Sequence, residues 1–209
     1  MATTATAMSG LELLQATGTV KADKAALATL QKSQTDEVKL VKAEAKAQGL
    51  SSKETAALVK QIQAENKAEL AAAKSSGTIN TVDGKITSLA SVPSAANDKQ
   101  SAVMQAVANK TQQGIDFANQ QNYTINKGNS VQNAYKLSEV ANAVASGATD
   151  KQAAQIASKV GIEHASEAVK IVKELTTTAP GEGEKLKEVK GGADLLQQAG
   201  LDPATNKLV

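Results

Sequence analysis

The 209-residue chain has no cysteine, no tryptophan and no arginine, and only one histidine, one phenylalanine and two tyrosines. Each absence removes a class of function. Without cysteine there are no disulfides, thiolate nucleophiles or thiolate metal ligands. His164 alone cannot make a His-plus-His or His-plus-Cys metal set, and a catalytic triad would have to run through this one ring. All 23 basic residues are lysine, so the planar fork that reads phosphates and base edges in two-point fashion is missing. Nowhere is there a run of about 18 apolar residues, so no helix is expected to span a membrane.

Large apolar side chains are also scarce. Leu, Val, Ile and Phe together make 42 of 209 residues, about 20%, which borders on compositions that stay disordered when net charge is high. Here the net charge is only +2. What the chain has instead is alanine, 39 residues of it, which buries little area but favours helix more than any other residue. The balance predicts an all-α protein: an elongated helical hairpin followed by several shorter helices, extended rather than compact, with much of the burial supplied by other copies or partners.

Val20, Leu27, Leu30, Val38, Val41 and Ala45 follow helical spacing and predict a first helix from Val20 to Gln48. Gly49 stands where a left-handed C-terminal cap belongs, and Ser51 with Glu54 forms the capping box of a second helix to about Ser75. So short a loop implies an antiparallel hairpin of helices roughly 44 and 36 Å long. Asn66 interrupts the apolar stripe of the second helix, so the hairpin should need a further surface to lie against. Between Thr78 and Pro93 two signals compete. Ile79, Val82, Ile86 and Leu89 keep helical spacing, whereas Asp83-Gly84 is a β-hairpin turn signal; helix or loop is the favoured expectation, with a small β-hairpin near residues 78–90 as the alternative.

Further helices are expected from Asn97 or Asp98 to about Ala118, from the N-cap Ser130 to Ser146, from the Thr149/Gln152 capping box to Val160, and from Ile162 to Thr177. The expected division is a polar N-terminal arm (1–19), a long helical hairpin (20–76), a connector (77–96), a helical region (97–178) and a C-terminal tail (179–209). In the tail, Gly181-Glu182-Gly183-Glu184-Lys185 lacks phosphate-loop spacing and reads as a linker, with short helical pieces at Glu184–Lys190 and Ala193–Ala199.

Ile156-Ala157 followed by Val160-Gly161-Ile162 resembles the turn of the helix-turn-helix family over about 25 residues, which would imply DNA binding. Glu167 and Lys170, however, stand where that pattern needs apolar residues, and Glu163 and Glu167 would face a polyanion. His164, flanked by Glu163 and Glu167, reads as a solvated or half-buried histidine. Lysines and acids are interspersed along the chain, so no basic stripe for phosphate or anionic lipid stands out, and no sequence-specific nucleic-acid partner is expected.

No catalytic, cofactor-binding or metal-ligating residue is therefore expected, and no cofactor. The residues expected to do the work are the apolar positions of the hairpin, Leu27, Leu30, Val38, Val41, Val59 and Ile62, as an interface. The Ala/Lys/Gln-rich, aromatic-poor character is similar to that of tail, neck, internal or ejection proteins of bacteriophages. The functional expectation is a non-catalytic structural component of a multi-copy assembly such as a virion, partnered by copies of itself and other structural subunits. The uncharged segment Met1–Gly10 lacks the features of a general secretory signal and carries the alternative, a type III-secreted filament subunit or translocator; a helix-turn-helix regulator is the third reading.

Overall fold

A computed structural model describes residues 11–93 and 95–177. The expected tail helices, the Gly181–Lys185 linker and the segment Met1–Gly10 lie outside the described residues. Five short strands and six helices follow in order: β1 (Leu11–Glu12), β2 (Gly18–Lys21), α1 (Lys24–Ala47), α2 (Ser52–Ser76), β3 (Thr78–Val82), β4 (Lys85–Ile86), β5 (Ser91–Val92), α3 (Asp98–Gln120), α4 (Val131–Ala145), α5 (Asp150–Lys159) and α6 (Ala165–Thr177). The fold is mainly helical with a minor antiparallel strand set.

Local chemistry accounts for the boundaries. Asp23 caps α1, its side chain accepting from the Ala26 N–H at 2.8 Å, so the helix starts four residues later than the apolar spacing suggests. Val20 belongs to β2 instead, opposite Ile79. Its side chain meets the core from a strand rather than from the first helical turn. The capping boxes at Ser51/Glu54 and Thr149/Gln152 form as expected, and Asn97 with Gln100 makes a third. The last helix begins at Ala165 rather than Ile162, because Ile162 closes the preceding turn by donating its N–H to the Ala157 carbonyl.

The 78–93 segment corrects the favoured expectation of helix or loop. Residues 78–86 form a β-hairpin in which Val82 faces Lys85 across the two-residue turn Asp83-Gly84. Both turn residues have positive φ, 48° and 75°, the arrangement whose twist matches paired strands and that Asp-Gly accommodates. Strand β2 adds on the other side, giving a three-stranded antiparallel sheet in the order β2-β3-β4, and β1 pairs with β5. The 3,4,3 spacing of Ile79, Val82, Ile86 and Leu89 is coincidental. Strand pairing with residues 18–21, distant in sequence, decides the segment.

α1 and α2 pack antiparallel, and α1 also lies against α3 and α4, so the surface this hairpin requires comes from its own chain. One apolar cluster joins Val41 and Ala45 of α1, Leu58, Val59 and Ile62 of α2, and Val103, Met104, Val107 and Ile115 of α3. A second gathers Phe117, Tyr123, Leu137, Val140, Val169 and Val172 around α4, α5 and α6. A third, smaller one packs Leu30 and Ala73 under Ile79 of the sheet. α3 and α4 approach closely at Gly114, where an added Cβ would stand 1.9 Å from the Val131 carbonyl oxygen. Only glycine permits this contact.

Candidate functional site

The six hairpin residues expected to form an interface divide between two clusters. Leu30, Val41, Val59 and Ile62 are buried, and Leu27 and Val38 are half-buried against the same clusters. Leu30 and Leu27 belong with the sheet; the other four belong with α3 or the body of the hairpin. Their apolar surface is occupied within one chain. A partner would have to open the hairpin to reach it.

Between these clusters runs a buried polar layer that apolar periodicity does not reveal. On α1, Thr29, Ser33, Gln34, Asp36, Glu37 and Glu44 are all buried. Ser33 Oγ donates to Gln132 Oε1 at 3.0 Å, shares a hydrogen bond with Thr87 Oγ1, and accepts from the Ser88 N–H at 3.1 Å. Gln34 Nε2 donates to the Asn66 carbonyl at 2.9 Å and to Glu69 Oε2 at 2.8 Å. Asn66, the apparent flaw in the α2 stripe, donates through Nδ2 to Glu37 Oε2 at 3.0 Å. A polar residue is needed there because a carboxyl faces it.

The three buried acids of α1 are held differently. Burial pushes the Glu37 carboxyl up to about 8; the Asn66 hydrogen bond opposes this, and the negative charges of Glu69 and Glu65 add to it. Glu37 is therefore protonated at neutral pH. Burial also acts on Asp36, but hydrogen bonds from Lys32 and Ser130 and the charges of Lys32 and Lys39 outweigh it and hold that carboxyl below its ordinary range. Glu44 pairs with Lys110, whose ammonium lies over the Tyr135 ring, 5.4 Å from its centre. These hydroxyls, amides and carboxyls bond mostly to one another, while Gln132 Nε2 is buried without a hydrogen-bond partner. They join α1, α2, the β4–β5 loop and α4 into one body.

The outer face of the hairpin is the opposite in character. Of the six acids of α1 and α2, Asp36, Glu37 and Glu44 are buried and Glu54, Glu65 and Glu69 are half-exposed, whereas eight of the nine lysines are exposed: Lys24, Lys39, Lys42, Lys46, Lys53, Lys60, Lys67 and Lys74. The remaining exposed residues of the two helices are Ala, Gln, Ser and Thr. This corrects the expectation that no basic stripe stands out. Acids and lysines alternate along the sequence, but when the helices form the acids of α1 turn inward and the lysines outward. Lys53, Lys60, Lys67 and Lys74 stand seven residues apart, about 20° short of two helical turns per step, and so make one nearly straight row on α2. Lys42 and Lys46 of α1 converge with Lys60 on a cleft of about 600 Å³ floored by Leu50 and Val59.

At the helix-turn-helix-like segment, Ile156 is half-buried and Ala157 and Ile162 are buried, and α6 sinks Ala168, Val169 and Val172 into the second cluster and also buries Ile171. Lys170, Glu163 and His164 are exposed, and Glu167 is half-exposed. The His164 carbonyl accepts the Ala168 N–H at 2.9 Å, so its backbone serves the start of α6. Among the described residues, no group of three or more His, Asp or Glu side chains is placed to hold a metal ion, and no helix is long and apolar enough to cross a membrane. No protein-family model, curated protein or solved structure matches the chain.

Proposed function

We propose that the chain is a non-catalytic α-helical structural component of a multi-copy assembly, of the kind that tail, neck, internal or ejection proteins provide in a bacteriophage virion, and that it joins the assembly through the lysine face of α1 and α2. The observation that carries this reading is the sorting of charge: eight exposed lysines on the two helices, against three buried and three half-exposed acids. Such a surface repels its own copies and attracts a polyanion, so copies are brought together along a shared anionic element rather than by hairpin-to-hairpin packing. The buried polar layer supports a structural role, because its groups are committed to holding the fold.

Light scattering after size exclusion, with and without heparin as the polyanion, tests this. The expected result is several copies of the 21.4 kDa chain on each heparin chain in low salt. A variant with Lys53, Lys60, Lys67 and Lys74 changed to Gln is expected to stay at its heparin-free mass. A mass unmoved by heparin, or a variant that assembles as well as the parent, overturns the proposal.

A further inference from the structure

We infer that the polyanion is a nucleic-acid duplex, gripped along its phosphates without regard to sequence. This rests on the lysine-face reading above and adds the identity of the partner. Seven residues of α-helix rise about 10 Å, so the row from Lys53 to Lys74 spans about 32 Å, close to the 34 Å of one duplex turn. A straight row of that length meets phosphates of both strands as they wind past it. Lys42 and Lys46, converging with Lys60 across the cleft, add charge beside the row and widen the track.

What the face lacks identifies the partner as much as what it carries. The commonest base-edge contact in the major groove is the two-point fork of arginine, and the chain has no arginine. Single strands are held by stacking bases on aromatic rings, and no aromatic residue lies on α1 or α2. An anionic membrane surface is held by an amphipathic helix whose apolar side enters the lipid. Here the apolar side of α2, Leu58, Val59 and Ile62, is buried in the protein core, and no exposed residue of either helix has an apolar side chain larger than alanine. A duplex backbone needs only point charges at regular intervals. Lysine supplies those.

Fluorescence anisotropy with two unrelated 24-base-pair duplexes, titrated from 50 to 300 mM salt, tests the inference. Both duplexes are expected to bind with affinities within about twofold of each other, and log K to fall against log salt with a slope near −4, as for about four neutralised phosphates. Changing Lys53, Lys60, Lys67 and Lys74 to Gln is expected to weaken binding at least tenfold and flatten that slope. The control is Lys99, Lys127, Lys151 and Lys170 changed to Gln, an equal loss of charge at exposed positions off the hairpin, with an expected change below threefold. An unaltered far-ultraviolet circular dichroism spectrum verifies that both variants are folded. Equal losses in the two variants overturn the inference, as does tighter binding to phosphatidylserine vesicles or to polyglutamate than to duplex. Heparin-driven assembly without duplex binding removes this inference and leaves the proposed function standing; failure of both removes both.

Discussion

Replacing Glu37 with glutamine should stabilise the protein, and increasingly so as pH rises. Glu37 is 2% exposed, accepts from Asn66 Nδ2 at 3.0 Å, and faces the like charges of Glu65 and Glu69. Burial, the leading cause, lifts its carboxyl from 4.5 to about 8. Between those two values the folded chain keeps a proton that the unfolded chain has released. Folding then takes up a proton, so this group's contribution to stability is fully present below pH 4.5 and is lost as pH climbs through the window toward about 8. At roughly 1.4 kcal/mol per pH unit, the loss at pH 7 relative to pH 4.5 is about 3 kcal/mol. The amide is neutral throughout, and its oxygen can still accept from Asn66. Asp36 works in the opposite sense, since its lowered carboxyl adds stability that is lost only as pH falls through the acidic range, and it is common to both proteins. Urea unfolding followed at 222 nm from pH 5 to 8 is the assay. The variant's advantage should widen by about 1.4 kcal/mol per pH unit and approach 3 kcal/mol at pH 7. Parallel stability curves would refute the assignment of a buried, protonated Glu37.

Two further substitutions probe the packing. Gly114→Ala drives a methyl into the Val131 carbonyl oxygen, 1.9 Å from the position its Cβ would take, so α3 and α4 must separate; a loss of about 3 kcal/mol is expected in chemical denaturation. An unchanged midpoint would mean the two helices do not touch there. Val41→Glu places a carboxyl in the first apolar cluster, where Val41 is 0% exposed, and should cost about 3–5 kcal/mol, visible as loss of the cooperative thermal transition. Unchanged melting would show that α1 does not bury this position.

Caps and helical periods made the helices legible in the sequence, because each depends on residues a few positions apart. The strands were less legible. β2 owes its existence to a partner about 60 residues away, and a local pattern holds no trace of that. Counting only apolar positions also understated the core: on α1, Ser33, Gln34 and Glu37 occupy buried positions that would ordinarily be apolar, matched by Asn66, Ser88 and Gln132 from other elements. The expectation that other copies supply the missing burial followed from that undercount. The lysine face, by contrast, was readable. Lys32, Lys39, Lys46, Lys53, Lys60, Lys67 and Lys74 repeat every seven residues across both helices, but a tally of charges along the chain averages them against acids of which half end up buried.

One hydroxyl ties the two halves of the chain together. Ser130 Oγ accepts the Asn133 N–H at 3.2 Å, capping α4, and donates to Asp36 Oδ2 of α1 at 2.8 Å. Fraying of the first turn of α4 would therefore take one of its hydrogen bonds from a buried carboxylate on a helix nearly a hundred residues earlier, leaving it to Lys32 and Lys39, and displacing α1 would leave the capping hydroxyl of α4 without its acceptor. Local opening at either place is penalised at both. Separate apolar clusters alone would let the chain melt cluster by cluster, whereas this shared bond couples the hairpin to the C-terminal helices and favours a single all-or-none transition.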